Sequence, residues 1–186
     1  MENFTENLNL LVSLGTILGQ IFVLAVLLLW LRVRFGKKSG GKGAEKVLEK
    51  IGSYGIWTGF LVAITSTVVS LVYSNVVGFA PCELCWIQRI FLYPQTLILG
   101  LALWKKTRDA DLYCLALSVI GGLIALYHFY GQSFNPNALP ACDATGAASC
   151  AVRFFVEFGY ITIPLMSLTA FASIAVSMLS FRFTQK

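Results

Sequence analysis

Charge is what this sequence has least of. Only 12% of its 186 residues are charged, against 57% hydrophobic, and the mean hydropathy is +0.75. Soluble domains carry roughly 25% charged residues. A soluble globular fold is therefore excluded, and a multipass membrane protein is indicated. Histidine is nearly absent, with His128 the only one. Without a second histidine there is no bis-histidine haem, and no C-x-x-C-H is present for covalent haem attachment. Gly-rich phosphate loops and serine-hydrolase elbows are also missing. The long apolar runs do not alternate with polar residues, which excludes a membrane β-barrel.

What remains is helical. About 20 apolar residues in helical form cross a bilayer core. Five such runs stand out, at 10–31, 56–77, 86–104, 112–130 and 158–181. Twelve of the 14 basic residues flank them on one side: the stretch from Arg32 to Lys50, then Lys105, Lys106 and Arg108, then Arg182 and Lys186. Only Arg89 and Arg153 fall on the other side. The positive-inside rule places the twelve in the cytoplasm. The expected fold is all-α with five spans, N-terminus out and C-terminus in. The net charge of +5 is then an orientation signal and does not argue for nucleic-acid binding. The first run is preceded by Glu2 and Glu6 with no basic residue, and it is too long for a signal-peptide core, so it reads as an uncleaved anchor.

Composition divides the chain into an N-terminal anchor helix at 1–34, a flexible basic linker at 35–51 and a four-helix domain at 52–186. Short connections favour antiparallel neighbours in the last part. Gly15/Gly19 and Gly55/Gly59 have the spacing that lets membrane helices approach closely.

The chemistry lies in the cysteines. Cys82 and Cys85 form a C-x-x-C after Pro81, at the outer end of the third run. Pro81 suits a helix start, and i, i+3 spacing puts both sulfurs on one side of the first turn. The helix dipole there favours a thiolate, the form that attacks disulfides. Cys142 and Cys150 bracket a short loop between the fourth and fifth runs, also on the outer side, where disulfides persist. Cys114, near the cytoplasmic start of the fourth run, reads as a small buried hydrophobe. Three readings of the four outer cysteines stay open on spacing alone. They are a redox relay, two static disulfide staples and a closed four-cysteine zinc site.

Arg89 follows Cys85 by four residues, one turn deeper on the same face. An arginine within a membrane helix costs roughly 2.5–3.5 kcal/mol at the centre. It either snorkels to lipid phosphates or holds a carbonyl oxygen or negative charge beside Cys85. Gln88 and Gln95 could line a polar stripe facing the bundle, with Gln95 hydrogen-bonding between helices. Pro94 is expected to kink the helix. His128, near the outer end of the fourth run, reads as a polar interface anchor, though a near-neutral pKa would suit proton delivery.

These features resemble the DsbB-type thiol:quinone oxidoreductases, bacterial inner-membrane proteins that generate disulfides. The resemblance covers 52–183 and rests on an ordered set: the outer C-x-x-C, Arg89, the second outer cysteine pair and a four-helix frame. The Cys-Glu-Leu-Cys-Trp-Ile-Gln-Arg stretch looks closest to small Gram-positive-like members. The resemblance implies that Cys85 faces a quinone, ubiquinone or menaquinone, with Cys82 its disulfide partner and Arg89 the quinone-binding arginine. Gln88 is carried with them as a candidate quinone contact. It implies that Cys142 forms the mixed disulfide with a DsbA-like thioredoxin-fold thiol oxidase, and that Cys150 resolves it and relays electrons to Cys82. His128 falls near a family position close to the quinone. The N-terminal helix is an addition to the four-helix family frame, and the Cys142–Cys150 loop is short for the family. In the vitamin K epoxide reductase family the loop cysteines precede the membrane C-x-x-C; here they follow it. The resemblance makes the chain a disulfide-generating enzyme of the bacterial plasma membrane. The alternative of another class is a non-enzymatic scaffold or accessory protein with two structural disulfides.

Overall fold

The computed structural model describes residues 2–35, 38–139 and 149–185. Among the described residues there are six α-helices and no strand. They are α1 (Glu2–Phe35), α2 (Lys38–Ser53), α3 (Gly55–Asn75), α4 (Glu83–Lys105), α5 (Ala110–Ser133) and α6 (Ile163–Thr184). A single 3-10 turn, Pro136–Ala138, follows α5.

Four of the five expected runs are helices long and apolar enough to cross a membrane: α1, α3, α5 and α6. The expected third run is helical throughout as α4, and its 23 residues are long enough. It is not among the four because Gln88, Arg89, Pro94 and Gln95 dilute its middle. The helix continues through Pro94. The last run begins later than its apolar composition suggests. Phe158 and Gly159 take left-handed backbone with φ of 51° and 78°, closing a turn in which Glu157 pairs with Ile161. Thr162 and Pro164 then open α6.

α3, α4, α5 and α6 pack in chain order, and α6 returns against α3 to close the ring. Leu92 and Leu99 of α4, Ala125 of α5, and Phe171, Ile174 and Met178 of α6 fill the core between them. Cys114 is fully buried in that core, as a small apolar residue would be. Gly55 and Gly59 bring α3 close to α6. A Cβ on Gly55 would stand 2.6 Å from the Ser177 carbonyl oxygen, and one on Gly59 2.7 Å from Met178 Cε. In α1, Gly19 abuts Thr169 and Ser173, but Gly15 has nothing within 4 Å, so only one member of that pair marks a contact.

The basic segment expected as a flexible linker is a helix. Ala44, Leu48, Ile51 and Gly52 recur at helical spacing, and Leu48 is fully buried. This stripe seats α2 on α6 and α1, with Val26 and Val176 in the same cluster. Burial of an amphipathic face outweighs the helix penalty of the glycines. The N-terminal helix, long and apolar enough to cross a membrane, also packs on the bundle. It lies along α6, with Asn9, Ser13 and Thr16 buried on one stripe.

Candidate functional site

The chain reverses between α3 and α4 at Gly78, whose φ of +84° suits glycine. The Phe79 N–H donates to the Tyr73 carbonyl at 2.9 Å. Cys82 is the N-cap residue of α4, and its carbonyl accepts the Trp86 N–H at 3.1 Å. The Cys85 side chain falls one turn on, over the same end of the bundle. The two sulfurs are 2.9 Å apart, with the Cys82 thiol donating to Cys85 Sγ, and neither is in a disulfide. Cys82 lies ahead of the helix. Its pKa is pushed up to about 12, first by the hydrogen bond to Cys85 and then by burial. In this pair the Cys82 thiol is the donor and the Cys85 sulfur the acceptor.

His128 crosses from α5 to meet this pair. It is 1% exposed, so it is no interface anchor: the helix turn places its ring between α4 and the chain at Cys150. Its Nε2 lies 3.1 Å from the Cys150 carbonyl oxygen and 3.9 Å from Cys82 Sγ. Its Nδ1 lies 3.1 Å from Gln88 Nε2. This network assigns the neutral tautomer with the proton on Nε2, donated to the Cys150 carbonyl, while Nδ1 accepts from Gln88. One ring thus ties α4, α5 and the chain at Cys150 together. Cys150 is buried beside Cys82, Leu84 and Leu139. Gln132, one turn beyond His128 on α5, donates to the Val152 carbonyl at 2.8 Å. The Arg153 guanidinium donates in turn to the Gln132 carbonyl, Nε at 3.1 Å. A cavity of about 20 Å³ lies at the centre, lined by Cys82, Cys85, His128 and Cys150, with Phe154 and Phe155 above.

Arg89 lies one turn along α4 from Cys85, on the side that faces α3. Its Nη2 donates to the Ser70 carbonyl of α3 at 3.2 Å, and its guanidinium stands 5.1 Å over the Trp86 ring. Trp86 is 54% exposed and Ile90 is exposed beside it, so this flank opens outward. Gln88 faces the interior. Gln95 also does, accepting from Ser118 at 2.9 Å as expected of an interhelical bond.

The structure therefore brings together three of the four expected redox cysteines, with Gln88 and His128 among them and Arg89 one turn along α4 from Cys85. Cys142 lies outside the described residues. Sequence reasoning missed Gln132, although its i+4 spacing from His128 was a usable signal. It also missed Ser70 and the Arg153–Gln132 tie, which depend on how helices face one another. The four-cysteine zinc set includes Cys142 and so lies partly outside the described residues; among those described, the ligand atoms of Cys82, Cys85 and His128 lie within 4.8 Å of one another.

Comparison with known proteins gives consistent results. The family described as "Disulfide bond formation protein DsbB" matches residues 54–181. A "Probable disulfide formation protein C 1" of Bacillus anthracis is 39% identical over 132 residues, covering 69% of this chain and 91% of the relative. The "SPbeta prophage-derived disulfide bond formation protein B" of Bacillus subtilis is 44% identical over 116 residues, covering 62% and 76%. A "Probable disulfide formation protein" of Chlamydia caviae is 37% identical over 120 residues, covering 64% and 85%. No solved structure matches the chain.

Proposed function

This chain belongs to the DsbB family of disulfide bond formation proteins, and from that premise we propose that it is a thiol:quinone oxidoreductase that reoxidises a thioredoxin-fold dithiol carrier outside the cytoplasm. The observation that carries this reading is the convergence of Cys82, Cys85, Cys150 and His128 on one end of the bundle. Static staples would have no need of a histidine bonded across them or of an arginine beside them.

The carrier's thiolate attacks Cys142 of an oxidised Cys142–Cys150 pair, and its second thiol then releases it as a disulfide. Cys150 next attacks Cys82 of an oxidised Cys82–Cys85 pair, and Cys142 closes on Cys150. Each exchange moves two electrons and leaves two thiols behind. Cys85 is the leaving sulfur, and once Cys142 has closed on Cys150 the freed Cys82 thiol donates to it and stabilises its thiolate. His128 holds the Cys150 carbonyl and Cys82 in one frame, which keeps the two pairs in exchange distance.

The residues fit a quinone on the outward flank and not in the interior. The internal cavity of about 20 Å³ is far below the roughly 150 Å³ that accommodates benzene. One of the five Arg89 donors is bonded among the described residues, leaving others for a ring carbonyl that arrives through the lipid beside Trp86. When bound there, the quinone supplies the sink for two electrons and two protons. The guanidinium, fixed by Ser70 and Trp86, is preorganised for charge on that oxygen. Which quinone serves is a matter for assay with both headgroups.

The charge pattern supports five spans, α4 being the fifth, with the cysteine end outside and twelve of 14 basic residues inside. The N-terminal helix, basic segment and four-helix unit at 52–186 then form one plasma-membrane enzyme.

The test is dithiol-driven quinone reduction by the purified protein. Cys85→Ala should abolish it. Arg89→Ala should raise the quinone KM about 10-fold or more, since a charged hydrogen bond is worth about 1.5–3 kcal/mol. Full activity in Cys85→Ala would end the reading.

A further inference from the structure

We propose that the reduced centre is also a binding site for one thiophilic divalent cation of the zinc class, held by Cys82, Cys85 and His128. The inference rests on the functional reading above, because it needs the C-x-x-C to pass through its dithiol form. The three ligand atoms lie within 4.8 Å of one another. Zinc–sulfur and zinc–nitrogen bonds of about 2.3 and 2.0 Å put tetrahedral ligands about 3.5–3.8 Å apart. The Cys82 Sγ to His128 Nε2 distance of 3.9 Å already matches, and the sulfurs at 2.9 Å need open by less than one ångström. Both thiols are on the first turn of a helix, where a rotamer change supplies that movement.

The surroundings fit the same assignment. A metal-binding imidazole gives its other N–H to a fixed acceptor. Gln88 stands 3.1 Å from Nδ1, and with its amide turned over, its oxygen accepts that proton and leaves the Nε2 lone pair for the metal. The cavity of about 20 Å³ beside the three residues has room for about one water, the fourth ligand. Each thiol releases its proton to solvent as its metal–sulfur bond forms, and two thiolates balance the cation's charge. Nothing is oxidised or reduced. A disulfide between Cys82 and Cys85 removes both sulfur ligands, so the site exists only in the reduced state. Occupied, it withholds Cys85 from oxidation and Cys82 from exchange. The cation is thus a reversible, redox-gated inhibitor.

The experiment uses the full chain in detergent, reduced and then freed of reductant, with cobalt and zinc as probes. One Co²⁺ per chain should bind with a thiolate-to-cobalt charge-transfer band. Zn²⁺ should displace it and stop dithiol-driven quinone reduction, with EDTA restoring activity. Pre-oxidation should abolish binding, Cys85→Ala should weaken it at least 100-fold, and His128→Ala about 10-fold or more. Cys114→Ser, far from the site in the core, should leave it unchanged. Equal binding by oxidised and reduced wild-type protein overturns the proposal without recourse to any variant, as does unchanged affinity in a folded His128→Ala. Metal-free turnover with no stoichiometric cobalt binding overturns the site alone. Cobalt binding in a protein with no turnover overturns the functional reading alone.

Discussion

Cys82 and Cys85 are three residues apart, yet the structure gives them different chemistry. Cys82 donates and Cys85 accepts, so the Cys82 thiol is held neutral up to about pH 12. Its pKa is raised, so the protonated, unreactive form persists below that value and the thiolate appears only as pH climbs toward it. In the reduced protein, iodoacetamide at pH 8–9 should therefore modify Cys85 first and Cys82 much more slowly than a free peptide thiol, with Cys82 labelling rising toward pH 12. Peptide mass spectrometry reads both sites. Comparable labelling at pH 8 would show that the hydrogen bond runs the other way. This asymmetry was only partly legible in the sequence. The helix-start position of the pair follows from Pro81 and the apolar run behind it. The donor–acceptor direction goes with the close approach of the two sulfurs and the burial of Cys82, and that burial needs the register between α4 and α5. Lone histidines at helix ends usually face water, so composition pointed to an anchor. Only the meeting of Gln88 with Nδ1 shows why this ring is buried.

Helix packing separates glycines that look alike in sequence. Gly15 and Gly55 each begin a G-x-x-x-G, yet a side chain at Gly55 would strike the Ser177 backbone while one at Gly15 would enter open space. Gly55→Leu should lower stability by about 1–3 kcal/mol through overpacking, and Gly15→Leu should stay within about 0.5 kcal/mol. Thermal melts in detergent measure both, and an equal response would contradict the packing of α3 on α6. The motif alone could not tell these cases apart, because it names a spacing and not a partner. α2 was hidden for a related reason. Its glycines and lysines read as a flexible tether, while the sparse stripe at Ala44, Leu48 and Ile51 carried the helical period. At the cysteine end of the bundle, Tyr73 donates to Asn9 of α1 at 2.9 Å and stacks on Phe79 with centroids 5.6 Å apart. Phe79 stacks on Phe154 at 4.5 Å, which overlies the cysteine cavity. Tyr73→Phe should loosen α1 by about 0.6 kcal/mol, the average for such bonds in membranes. Hydrogen exchange at the N-terminal end of α1 should rise, with the α4–α5 core unaffected.

Across the whole molecule, hydropathy read most of the architecture directly because lipid permits so few solutions. The apolar runs at 10–31, 56–77 and 112–130 became α1, α3 and α5 with only their ends adjusted. It read α4 least well, since two of the residues that weaken its signal, Gln88 and Arg89, stand at the candidate site. An epitope inserted after Lys106 should be reached by antibody only after permeabilisation, and one after Asn135 in intact spheroplasts. The reverse pattern would invert the membrane orientation. The family match begins at residue 54, yet α1 and α2 both lie against α6, the last helix of the matched region. Ser173, Ser177 and Ser180 of α6 are all buried, with Ser177 and Ser180 bonded back to their own helix. During synthesis α1, α2 and α3 leave the ribosome before α6 does. The final helix therefore enters the membrane with its neighbours α1, α2, α3 and α5 all already made, and its hydroxyl-rich face passes from the insertion machinery into a waiting protein groove instead of into lipid.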